Sequence, residues 1–121
     1  TLSLHDALPI SAQLAEKYEI VLLEGAGGLM VPLTTDLLTI DYVAEKKHPI
    51  IFVTSGRLGS INHTILSLEA IKNRGLELYA VAYNLKDESQ DELISKDTAE
   101  YLKGYLAKHF PNSLWIDIPV I

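Results

Sequence analysis

Apolar residues fall along this chain in short unbroken runs, separated by stretches with helical spacing. The first run, Ile20-Val21-Leu22-Leu23, ends on Glu24 and passes into Gly25-Ala26-Gly27-Gly28. Three more follow at Pro49 to Thr54, Leu78 to Tyr83 and Leu114 to Ile118. Runs of this length without polar alternation predict strands buried on both faces, as in a parallel sheet covered by helices. Between them the spacing turns helical. Ala12 to Tyr18 reads as the end of an amphipathic helix. Asp36 to Lys47 reads as a second helix, with Asp36 placed to cap it and Lys46 and Lys47 near its end. Ile61 to Arg74 carries apolar residues at Ile61, Ile65, Leu68 and Ile71 and is closed by Gly75. Gln90 to His109 is a long helix stopped by Pro111. Strands alternating with helices predict an α/β fold: a parallel sheet with flanking helices and right-handed crossovers. No internal repeat, low-complexity tract or domain boundary interrupts the pattern.

The residues that end the strands add a function to this layout. They are Glu24-Gly25, Ser55-Gly56, Asn84 and Pro119. In open α/β sheets ligands bind outside the carboxyl ends of the strands. Four polar, glycine or proline ends are therefore expected to converge on one crevice.

Composition narrows the classes. A chain of 121 residues with a formal net charge of −6 suits one domain. With no Lys/Arg cluster, that charge argues against a surface tracking nucleic-acid phosphates. It leaves open a single nucleotide held by backbone amides and a metal. The chain has no cysteine, which excludes disulfides and fits a reducing compartment. No apolar run approaches the ~20 residues of a membrane helix, and no cleavable signal pattern is present. Thr1-Leu2-Ser3-Leu4-His5-Asp6-Ala7-Leu8-Pro9-Ile10 corresponds codon for codon to a widely used sequencing adapter, ACT CTT TCC CTA CAC GAC GCT CTT CCG ATC. Residues 1–10 are read as adapter-derived rather than as a genuine helix start, and the natural protein is expected to begin upstream.

Glu24 is the leading candidate for chemistry. A carboxylate is a hard ligand suited to Mg²⁺, which takes one or two such groups beside waters and phosphate oxygens. The alternative is a carboxylate that caps a helix or pairs with a lysine. Buried at a strand end, it would be costly to desolvate without a cationic partner. Gly25, Ala26, Gly27 and Gly28 suit an amide-lined phosphate contact or simply a tight turn. They do not complete a dinucleotide fingerprint, whose third glycine would fall at Met30. Nor does the chain contain a Gly-x-x-x-x-Gly-Lys-Ser/Thr loop. In Leu58-Gly59-Ser60-Ile61-Asn62-His63-Thr64, Ser60 is placed as an N-cap. The first-turn amides there favour an anion such as a carboxylate, or the helix is merely capped. Asn62 can donate a side-chain hydrogen bond, and Arg57 either meets an anion or lies in solvent. The four histidines lack ligand spacing. Asn84 suits a purine edge or a turn, and Pro119 leaves a neighbouring backbone group for a base. Lys86, Asp87, Glu88 and the charges of the long helix read as a solvated face.

Taken together, Glu24-Gly-Ala-Gly-Gly-Leu-Met-Val-Pro-Leu33 and Gly56-Arg-Leu-Gly-Ser-Ile-Asn-His-Thr64 resemble the dethiobiotin synthetase family. The resemblance runs from about Ala12 to the C-terminus, with Tyr83-Asn84 and Ile118-Pro119 in the expected order. It covers the second half of that family's chain. It implies a P-loop NTPase-like α/β domain, of which residues 11–121 form the C-terminal part. The fold would thus be incomplete, its N-terminal strands and P-loop missing. It also implies a cytoplasmic homodimer using ATP and Mg²⁺. The implied reaction joins CO₂ (or bicarbonate) to 7,8-diaminopelargonic acid: an amine carbamate is phosphorylated by ATP, and the second amine closes the ring as phosphate leaves. By the same resemblance Glu24 is the Mg²⁺ ligand, and Gly25, Ala26 and Gly27 belong to the nucleotide-contact loop. Asn84 and Leu85 meet the adenine, as do Pro119, Val120 and Ile121 further on. Leu58, Gly59, Ser60, Ile61 and Asn62 receive the substrate's carboxylate across the dimer interface. The P-loop lysine has no counterpart, so no catalytic residue is assigned, and the 121-residue chain is expected to be inactive. Without its first strands it is also expected to expose a sheet edge and apolar surface. Cobyrinic or cobyric acid amide synthetases share the glutamate-glycine strand end but not the Leu-Gly-Ser-Ile-Asn-His segment. A ParA/MinD-like nucleotide switch or a pure interaction domain fits less well.

Overall fold

The computed structural model describes residues 4–86 and 92–120, and side chains from Ile10 onward with Glu92 excepted. Its elements run α1 (Leu4–Lys17), β1 (Pro32–Thr34), β2 (Leu37–Leu38), α2 (Thr39–Lys46), β3 (Ile50–Ser55), α3 (Ser60–Asn73), β4 (Leu78–Asn84), α4 (Glu92–His109) and β5 (Leu114–Ile118). They form two compact units, divided between Glu45 and Lys46. The Gln90 start expected for the last helix, and Asp87 and Glu88, lie outside the described residues.

The C-terminal unit has the predicted architecture. Its strands form one sheet in the order β3-β4-β5, and both pairings are parallel. Strands laid down in sequence order by right-handed crossovers put both connecting helices on the same face. Side chains agree: Thr54 Oγ1 hydrogen-bonds Thr64 Oγ1 of α3 at 2.7 Å, while Thr54's register partner Tyr83 bonds Ser95 of α4. Lys72 Nζ lies 3.1 Å from His109 Nδ1, linking the two helices. Leu68 and Ile71 of α3, Val81 and Tyr83 of β4, and Leu102 and Leu106 of α4 are buried. The C-terminus of α3 is closed by Gly75 at φ 64°: Gly75 N–H donates to Lys72 O and Leu76 N–H to Ile71 O. That pair is the Schellman arrangement which glycine makes inexpensive. On the other face the rows Ile51-Ala80-Leu114 and Val53-Ala82-Ile116 lie side by side. Their outer members are exposed, Val53 to 65%.

The N-terminal unit departs from expectation at two places. The Ile20–Leu23 run is not a strand, and no strand pairs with it among the described residues. A buried parallel strand requires hydrogen-bonding neighbours, and without them the run stays irregular, with Ile20 81% and Leu22 82% exposed. Second, Asp36 does not cap α2. It sits in the turn between β1 and β2, an antiparallel hairpin, where its N–H donates to Thr34 Oγ1. The helix begins three residues later at Thr39, and Asp41 Oδ2 accepts the Leu38 N–H. Lys46 ends α2, followed by Lys47 at φ 56°. Helix α1 extends back to Leu4, through part of the adapter-like segment.

Candidate functional site

Glu24 leads directly into the glycine loop of the N-terminal unit. Because its strand does not form, its side chain is exposed rather than buried, and the expected desolvation cost does not arise. Gly27 (φ 89°) and Gly28 (φ 117°) both hold the left-handed region that other residues resist, so these glycines are dictated by backbone shape. A Cβ on Gly27 would also stand 3.0 Å from Val31 Cγ2. Gly25 has ordinary room, its would-be Cβ 3.4 Å from Thr39 Cγ2, and Ala26 is exposed. The loop's exit is tied to the first turn of α2. Thr39 donates to Val31 O from both its N–H (2.9 Å) and its hydroxyl (3.1 Å), and Ile40 N–H donates to Leu29 O (2.9 Å). Thr39 carries no sequence signal of this role, because the β1–β2 hairpin separates it from the glycines and only the fold brings its N–H and hydroxyl back to Val31 O.

Three of the four expected strand ends come together in the C-terminal unit. Ser55 is the register partner of Asn84, and Asn84 of Ile118, so the ends of β3, β4 and β5 form one row. Leu85 N–H donates to Ile118 O at 3.0 Å, which ties the exit of β4 to the end of β5. Asn84 does serve as a turn residue: its Oδ1 accepts the Lys86 N–H at 2.9 Å. The side-chain amide nitrogen, a donor, is the group it can offer a base. Leu85, Pro119 and Val120 are exposed along this rim, and Ile121 lies outside the described residues.

The start of α3 differs in detail from expectation. Gly59, at φ 89°, occupies the cap position with no side-chain capping bond, and Ser60 is already the first helical residue. Glycine makes the reversal, and Ser60 packs inward, 9% exposed, with its N–H on Arg57 O. Leu58, Ile61 and Asn62 are exposed. No acidic residue occupies the first turn, so the positive end of the helix is not offset locally. That arrangement favours a carboxylate. Beneath these loops, Gly56 is buried where a Cβ would lie 2.6 Å from Tyr83 Oη and 2.5 Å from Ser95 Oγ.

Among the described residues no group of three or more His, Cys, Asp or Glu side chains could hold a metal. Mg²⁺ bound with a nucleotide asks less of the protein, one or two carboxylates with water and phosphate completing the shell. Glu24, exposed beside a glycine loop, meets that requirement for one carboxylate. No helix among the described residues is long and apolar enough to cross a membrane.

The parallel sheet with flanking helices makes this an α/β protein, and a family model described as an AAA domain, which matches residues 1–109, makes it P-loop NTPase-like. The chain belongs to that AAA domain family. Within it, the chain is similar to ATP-dependent dethiobiotin synthetases. It is 50% identical to the one named BioD 2 of Pasteurella multocida (strain Pm70) over 87% of this chain and 49% of that protein. The BioD 2 of Haemophilus ducreyi (strain 35000HP / ATCC 700724) is 52% identical over 85% and 48%. The BioD of Chlorobaculum tepidum (strain ATCC 49652 / DSM 12025 / NBRC 103806 / TLS) is 46% identical over 80% and 40%. The chain thus spans about half the length of the curated relatives it matches.

Proposed function

We propose that this chain is the C-terminal part of a single-domain, cytoplasmic dethiobiotin synthetase, with residues 1–10 adapter-derived. In this reading the whole protein carboxylates 7,8-diaminopelargonic acid with CO₂ and closes the ring at the expense of ATP, as a homodimer. The observation that carries the reading is the aligned row Ser55-Asn84-Ile118, from whose first strand the chain passes through Gly56–Gly59 into an acid-free helix start.

Each group then has a task suited to its geometry. Asn84 donates its side-chain amide to a ring acceptor of the adenine, while Leu85, Pro119, Val120 and Ile121 pack against the base. The loop end and first turn of α3, from Leu58 to Asn62, receive the diamine's carboxylate from the other protomer's site. This holds the reacting amine at fixed distance, which is where an enzyme of this type gains most of its rate. Gly25, Ala26 and Gly27 bring bare backbone to the phosphates. Glu24 would hold Mg²⁺, which supplies charge neutralisation during phosphoryl transfer. The chemistry is phosphorylation of the carbamate oxygen with release of ADP, then attack by the second amine on the carbamoyl carbon with loss of phosphate. The test is ATP- and bicarbonate-dependent conversion of the diamine to dethiobiotin by the full-length gene product. Turnover that requires ATP and is abolished by Glu24→Ala is the expected result; ATP hydrolysis indifferent to the diamine would favour a nucleotide switch instead.

A further inference from the structure

Tyr83 has the least exposed phenol in the C-terminal unit, 1% accessible, and no role in the reading above. Its hydroxyl donates to Ser95 O at 2.8 Å and lies 3.2 Å from Ser95 Oγ. Its ring stacks on Trp115, centroids 5.2 Å apart at 30°. Asn84 is the next residue, and the connection from Asn84 to Ser95 is the one that begins with Leu85. One hydroxyl therefore ties the end of β4 to the first turn of α4. The same hydroxyl stands 2.6 Å from where a Cβ on Gly56 would lie. Only a residue without a side chain fits there, so the end of β3 is drawn into the same contact. Gly56 in turn opens the segment that leads to Leu58–Asn62.

We propose that Tyr83 is a positioning residue whose hydroxyl, clasping Ser95 against Gly56, presets Asn84 and Leu85 for the adenine. The inference rests on the proposed function for the identity of the ligand, but the clasp itself is independent of it. Preorganising a contact loop raises affinity by removing the entropy otherwise lost on binding. Nothing in the clasp touches reacting atoms, so its loss should weaken nucleotide binding and leave the chemical step nearly alone.

Tyr83→Phe keeps the ring and its stacking on Trp115 and removes only the hydroxyl. In the full-length enzyme it should raise the KM for ATP about fivefold to tenfold, with kcat and the KM for the diamine each changing less than twofold. Amide exchange at Leu85 and Lys86, read on the 121-residue chain and on the full-length protein, should quicken while α3 exchanges as before. Gly56→Ala tests the clasp from the other side. Its added methyl would meet Ser95 Oγ and Cβ as well as Tyr83 Oη, so it should raise the ATP KM in the Tyr83 protein and add less to that of Tyr83→Phe, where the clasp is already lost. A purely structural role predicts a lowered melting temperature with kcat and both KM values drifting together, and that outcome overturns the proposal. So does unchanged exchange at Leu85 and Lys86 in Tyr83→Phe. If the wild-type enzyme fails to make dethiobiotin, the proposed function falls and the exchange result alone judges the clasp.

Discussion

Two apolar runs meet opposite ends in this molecule. Leu78–Tyr83 is flanked by β3 on one side and β5 on the other, with register partners along most of its length. Its Ala80, Val81 and Tyr83 are at most 1% exposed. Ile20–Leu23 has no paired strand among the described residues, and most of its apolar surface faces water. The contrast teaches that an apolar run records a preference for burial, while neighbours decide whether a strand forms. It carries over to chemistry. Asn84 is fixed by the strand it ends, whereas Glu24 follows an irregular segment and is exposed.

The largest expected effect follows from that difference. The 121-residue chain alone should make no detectable dethiobiotin, while the full-length gene product does; measurable product from the purified piece breaks the comparison. β3 has a single strand neighbour among the described residues, and with the exposed Ile51, Val53 and Leu114 it should also drive self-association, seen as sedimentation above monomer mass.

Next in size is the response to truncation. Leu68→Ala removes a side chain 1% exposed in the C-terminal unit and should cost about 2–5 kcal/mol in urea unfolding. Leu22→Ala, at a position 82% exposed, should change stability by less than about 0.5 kcal/mol. Equal losses at the two positions would mean that Ile20–Leu23 is packed after all.

Much of the C-terminal unit was legible beforehand. Its three strands, α3 closed by Gly75 and α4 stopped ahead of Pro111 all carry local signals that agree with their packing, and each lies within a residue of its expected bounds where those are described. Of the four expected ends, the alignment of Ser55 with Asn84 was legible for the same reason, and Ile118, one residue before the expected Pro119, completes the row, whereas the Glu24 end follows no strand. What failed depended on partners or on one-residue backbone choices. Asp36 looked like a cap because acidic residues suit helix starts, but a hairpin turn competed for it. Ser60 looked like a cap because its hydroxyl suits that position, but Gly59 took the left-handed cap. Tyr83 passed unnoticed because a tyrosine in a buried run signals packing, and only the fold brings Ser95 to its hydroxyl.

Glycines in the left-handed region show the same contrast at smaller scale. Gly75→Ala strains the end of α3, an element of the packed core, and should lower the stability of the C-terminal unit by about 1 kcal/mol. Gly27→Ala carries similar backbone strain and crowds Val31 besides. Yet it lies in an exposed loop of the other unit, so its effect should appear as faster exchange around Leu29–Val31 with the main unfolding midpoint unmoved. A shift of that midpoint by Gly27→Ala equal to that of Gly75→Ala would merge the two units into one cooperative block.

The smallest expected effect is alkaline. Burial pushes the Tyr105 phenol above its ordinary value, with Glu69 of α3 and Tyr101 of α4 adding repulsion against the phenolate. The folded chain thus holds this proton to higher pH than the unfolded chain. Below about pH 10 both states keep it, and the contribution to stability is fully present. As pH rises past that value the unfolded state ionises first and binds fewer protons. The contribution is then lost progressively until the folded phenol ionises as well. Urea midpoints for the C-terminal unit should therefore fall above pH 10, and Tyr105→Phe should flatten that part of the decline. Glu69→Gln should flatten it less than Tyr105→Phe, because burial outranks the carboxylate among the causes. An identical decline in wild type and Tyr105→Phe would place the alkaline sensitivity elsewhere in the fold.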